Sequence, residues 1–119
     1  MIDQGVFTLL QKESLLIDSP IHGVKHWKTV ERNARYLAGF NNADTEVLSY
    51  FAYFYDCMRE NEHIDRGHDP RAASFAKKHR GLIPLNDIQF KQLTDACKGA
   101  LTASALIVLQ LILVGMLTG

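Results

Sequence analysis

The side chains of this 119-residue chain that could bind a metal or move a proton gather in two places. The first is His22 and His26, four residues apart. The second follows the aromatic run Phe51-Ala52-Tyr53-Phe54-Tyr55, which delivers Asp56 and then Arg59, Asn61, His63, Asp65, His68 and Arg71. Imidazoles four apart on a helix project from one side and can ligate a metal, or they can be hydrogen-bonded or simply exposed. A carboxylate directly after an apolar helix suggests an acid held at the edge of a core and facing a pocket, because burying it unpaired is costly. The same residues also suit a solvated charge run behind a buried helix.

Positioning these groups requires helices, and the apolar spacing supplies them. A loosely helical segment covers roughly residues 2 to 16, with Val6, Leu9, Leu10, Leu15 and Leu16, and Ser19-Pro20 interrupts it. Val24, Trp27, Val30, Ala34, Leu37 and Ala38 then form one apolar stripe. Lys25, Lys28, Glu31, Arg32 and Arg35 fall on the other faces, and Gly39 and Asn41-Asn42 are stop signals. Asp44 is suited to cap a third helix, with Glu46 in its first turn and Val47, Leu48, Phe51, Ala52, Phe54 and Tyr55 apolar around much of its circumference. That pattern predicts a central helix buried on several sides.

Asp69-Pro70 reads as an N-cap and first-turn proline for a short helix. Ala72, Ala73, Phe75 and Ala76 point inward there, and Lys77 to Gly81 form a basic end. Asn86 caps a fifth helix carrying Ile88, Phe90, Leu93 and Cys97. No strand-type alternation and no internal repeat occurs, so the expected class is all-α.

Composition narrows the function classes. With 47% apolar and 22% charged residues the chain is an ordered globular domain. Its formal net charge of zero offers no general attraction to nucleic acid. Cys57 and Cys97 lie far apart, which fits a reduced intracellular protein better than a disulfide scaffold. The opening residues lack the basic and apolar regions of a secretory signal, and the expected compartment is the cytoplasm.

Taken together, several separated motifs resemble the HD-domain superfamily of metal-dependent phosphohydrolases, and more closely a group of small bacterial HD-domain proteins. The residues are His22-Gly23-Val24-Lys25-His26-Trp27 with Val30, then Phe51-Ala52, Asp56, Arg59 and Asn61, then Asp65, His68 and Arg71-Ala72-Ala73. The likeness covers about residues 20 to 97. It implies a compact HD-type bundle of five to six helices and hydrolysis of a phosphate ester or nucleotide by a divalent metal, whether Mn, Mg, Co, Zn or Fe. In that family a bound metal polarises a phosphoryl oxygen and activates water. By position, His26 and Asp56 would be metal ligands, with Tyr55 at the place of the HD histidine. Asp56 and His68 would be the catalytic groups. Arg59, Arg71, Asn61 and His22 would contact substrate. The partner implied is a small phosphorylated molecule or nucleotide.

Two departures stand out. The family pattern has histidine where this chain has Tyr55, and a phenol must lose a proton with a reference pKa of about 10 to compete as a ligand. The late aspartate of the family is also missing, since no acid follows Asp95. His63, Asp65 or His68 could fill in. These departures predict a degraded site, with metal affinity and hydrolysis weak or lost, and an alternative role as a non-catalytic binding protein. Residues 1–99 are expected to form the helical domain, and residues 100–119 an uncharged tail. That tail fits a core-filling helix, a membrane anchor over 100–118 or a frame-shift product, and if exposed it would favour self-association.

Overall fold

The computed structural model describes residues 2–41, 44–61 and 68–98, with the side chains of 37–41, 68 and 69 outside that set. The expectations for His63, Asp65 and the tail at 100–119 therefore lie outside the described residues. Five α-helices and a 3₁₀ turn make up the described chain, and it contains no strand. They are α1 (Gln4–Glu13), α2 (Val24–Asn41), α3 (Thr45–Phe54), α4 (His68–Lys78) and α5 (Asp87–Cys97), with the 3₁₀ turn at Arg80–Leu82. The all-α class follows directly. None of these helices is long and apolar enough to cross a membrane.

Helix α3 is the hub. Val47, Ser49, Tyr50, Phe51, Ala52, Tyr53 and Phe54 are all buried, as a sequence apolar around most of its circumference requires. Helix α2 packs along one side of it, and α5 packs on both α3 and α4. Trp27 and Val30 from α2, Phe51 and Phe54 from α3 and Leu93 from α5 meet in the core, joined by Leu10 of α1. Full burial of a large apolar side chain is worth about 1.5–3 kcal/mol, so these few residues supply much of the packing energy.

The caps agree with the residue types that set them. The Asp44 carboxylate accepts from the amides of Glu46 and Val47. Asn86 and Gln89 form a reciprocal capping box at α5. Gln89 also donates to Asp44 at 3.0 Å, and this bond, with the two amides, holds the Asp44 carboxyl below its usual range. Gln89, which also reaches Glu46 at 3.5 Å, thus ties the start of α5 to the start of α3.

Several sequence expectations are corrected. Helix α1 stops at Glu13, and Leu15 lies outside it and exposed, because Ser14 turns the chain into an extended conformation. Helix α2 runs through Gly39 to Asn41, so that glycine does not end it. Helix α4 begins at His68, which puts Asp69 and Pro70 inside the first turn and not at the cap. A first-turn proline costs no hydrogen bond, which permits the earlier start. Ile88 is 73% exposed instead of packed. Glu31, placed on a solvent face by its charged neighbours, is buried at 8% exposure.

Candidate functional site

Asp56 sits just beyond α3 in a turn at the edge of the core and is 5% exposed. Three groups surround it. His22 Nδ1 lies 3.5 Å from its Oδ2, and His26 Nε2 lies 3.8 Å from the same oxygen. Arg59 Nε lies 3.4 Å from Oδ1. The two histidines thus meet one carboxylate oxygen, although only His26 belongs to a helix.

His22 reaches this point by a local device. Helix α2 starts at Val24, so His22 lies in the preceding turn. The Ser19 hydroxyl accepts from the amides of Ile21 and His22, and the Trp27 indole N–H donates to the His22 carbonyl at 2.8 Å. The amides of Gly23 and Val24 donate to the carbonyls of Ser19 and Ile17, each at 2.8 Å. A Cβ on Gly23 would overlap those two carbonyl oxygens, so only glycine fits the crossing. Ser19, Gly23 and Trp27 therefore position the site, and residue chemistry alone did not single them out. The signal available was the punctuated run Ser19-Pro20 to Gly23 just before a tryptophan.

The electrostatics favour a neutral imidazole at position 26. Burial lowers the His26 pKa; the nearby Asp56 carboxylate raises it by less, and His22 lowers it further. Although His26 stands at ion-pair distance from Asp56, desolvation outweighs that attraction. A neutral imidazole beside a carboxylate can accept a proton or donate a lone pair to a cation.

Other candidate residues lie close by in different roles. Arg59 Nη1 donates to the Asn61 carbonyl at 3.4 Å, and Asn61 is exposed. Arg71 Nε donates to the Met58 carbonyl at 3.1 Å, and its Nη1 lies 3.4 Å from Glu60. Arg71 thus ties α4 to the segment after Asp56. The Tyr55 ring tilts against Phe51 with 5.1 Å between centroids. His68 opens α4, and its side chain is outside the described set.

Among the described residues, no group of three or more His, Cys, Asp or Glu side chains is arranged to hold a metal ion. The His22 and His26 ring centroids are 6.5 Å apart, whereas two imidazoles sharing one tetrahedral ion would stand about 5 Å apart. The described side chains do not by themselves fit a closed divalent centre. No family model, curated protein or solved structure matches the chain.

Proposed function

We infer that the chain is an HD-type helical protein related to metal-dependent phosphohydrolases, with a pocket for a phosphate ester or nucleotide and impaired hydrolysis. One observation carries this reading: His22 and His26 meet the buried Asp56 carboxylate, which ends the central helix, at 3.5 and 3.8 Å. These are residues on which the family resemblance rests, and they come from segments some thirty positions apart in the sequence.

In this reading Arg59, Arg71, Asn61 and His22 contact the phosphorylated ligand, and His68 assists any proton transfer. His26 and Asp56 are the metal ligands that remain, with Tyr55 at the third position. Impairment is supported by that phenol at the place of the HD histidine. The same resemblance supports a bacterial setting, and the widely spaced Cys57 and Cys97 support a reduced, cytoplasmic compartment.

A second reading, a binding protein without turnover, is favoured by the Arg59 guanidinium on Asp56 Oδ1. A carboxylate already beside a fixed positive charge attracts a divalent cation less strongly.

Calorimetric titration with Mn²⁺, Co²⁺ and Zn²⁺, beside a metal-supplemented screen of phosphorylated small molecules, tests both readings. The expected result is weak or no metal binding, slow or no hydrolysis, and ligand binding lost in Asp56→Ala. Micromolar metal affinity abolished by both His26→Ala and Asp56→Ala would overturn the impairment. Absence of any phosphorylated ligand would sink the pocket assignment.

A further inference from the structure

Two buried polar groups lie along the line that leads from the site into the helix pair. Asn33 is 2% exposed and Ser49 is 0% exposed. The Asn33 side-chain amide nitrogen and the Ser49 hydroxyl are buried without a hydrogen-bond partner. Folded proteins leave few such groups, and each calls for a cause.

Their positions supply one. Contacts between Trp27 and Tyr53, Glu31 and Tyr53, and His26 and Asp56 show that α2 and α3 run antiparallel in a defined register. Asn33 lies seven residues after His26, and Ser49 lies seven residues before Asp56. Seven residues are two turns, so Asn33 shares the helical line of His26, and Ser49 lies one turn before Tyr53, on the face of α3 that meets Glu31. The antiparallel register then sets Asn33 across from Ser49, about 10 Å along the helix pair from the site.

We propose that Asn33 and Ser49 are positioning residues. They form a polar pin between α2 and α3, with one trapped water bridging the Asn33 amide and the Ser49 hydroxyl, which make no direct bond, and the pin fixes the register that sets His26 against Asp56. Most side chains between these helices are apolar, and the buried bond from the Tyr53 hydroxyl to Glu31 is a second polar contact across them. A one-turn slide would carry His26 past Asp56. A buried amide and hydroxyl can share that water in one register only, and in every other register both stay desolvated and unpaired. The pin selects among packings more than it strengthens the chosen one.

The test uses the full chain and needs no ligand. Trp27 is the single tryptophan of the sequence, so its indole N–H gives one resonance that reports the α2–α3 register. In the native chain one signal is expected, with a cross-relaxation contact to the Tyr53 ring. In the Asn33→Leu/Ser49→Ala double variant the urea midpoint is expected to stay equal or rise. The Trp27 signal is expected to split or broaden, and the Tyr53 contact to weaken at least twofold. Ser49→Thr, which keeps the hydroxyl, is expected to retain the native single signal. An unchanged Trp27 signal and Tyr53 contact in the double variant would overturn the proposal, because register would then be set without the pin, by packing and the Tyr53–Glu31 bond. A double variant that fails to fold would overturn it equally, since the pin would then be a source of stability.

Discussion

Glu31 on α2 and Asp56 beyond α3 are 8% and 5% exposed, and both lie against the same helix pair, yet their surroundings differ in kind. Glu31 Oε1 accepts from the Tyr53 hydroxyl at 3.1 Å, and Arg35 Nε stands 3.7 Å from Oε2 near the surface. Burial and the adjacent carboxylate push the Tyr53 phenol up to about 12, so it remains a neutral donor at ordinary pH. Asp56 is surrounded instead by two imidazoles and a guanidinium, at 3.4 to 3.8 Å. One carboxylate accepts a hydrogen bond from a neutral phenol across the helices. The other is ringed by groups able to change protonation state or turn toward an anion. A buried acid on its own therefore says little, and the titration range of its neighbours separates architecture from chemistry.

The largest test of this contrast is Asp56→Ala. It leaves Arg59, whose side chain is 13% exposed, without the carboxylate it faces. Removing one member of a buried ion pair costs about 3 kcal/mol, so the urea midpoint should drop sharply. Equal stability would mean that Asp56 is solvated and the contrast with Glu31 is false. A smaller effect is expected at the other carboxylate. Tyr53→Phe removes the donor to Glu31 and should cost about 1–2 kcal/mol, with ligand binding at Asp56 unchanged. If that variant altered binding instead, the two carboxylates would belong to one network.

The smallest effect is a pH dependence. Because the folded protein holds the His26 pKa down, the unfolded chain binds a proton more readily. Stability from this group is fully present above the ordinary imidazole value of about 6.5. It is lost as pH falls through that value toward the folded one. Urea unfolding between pH 5 and pH 8, at about half-unit steps, should show stability rising with pH. His26→Gln should flatten that slope. A slope unchanged by His26→Gln would assign it to another group.

How far the sequence foretold this arrangement depends on the range of the forces involved. Asn86 and Asp44 were legible as caps because a cap is satisfied within three residues. Helix α3 was legible because apolar residues on nearly every face leave only burial. Glu31 was not, since a carboxylate among lysines and arginines looks solvated until Tyr53, twenty-two residues later, is placed against it. Gly39 looked like a stop, but α2 continues through it to Asn41. At the site, spacing suggested that His22 and His26 share a side of one helix. They do approach one carboxylate, but His22 arrives from a turn whose shape depends on Ser19, Gly23 and Trp27.

The indole bond that steadies this turn ends on the main-chain oxygen of His22, and the hydroxyl of Ser19 grips main-chain nitrogen. Neither support senses which side chain residue 22 carries. That residue is thus a socket, and exchanging its imidazole for an amide would alter what the cleft attracts while leaving the surrounding scaffold in place.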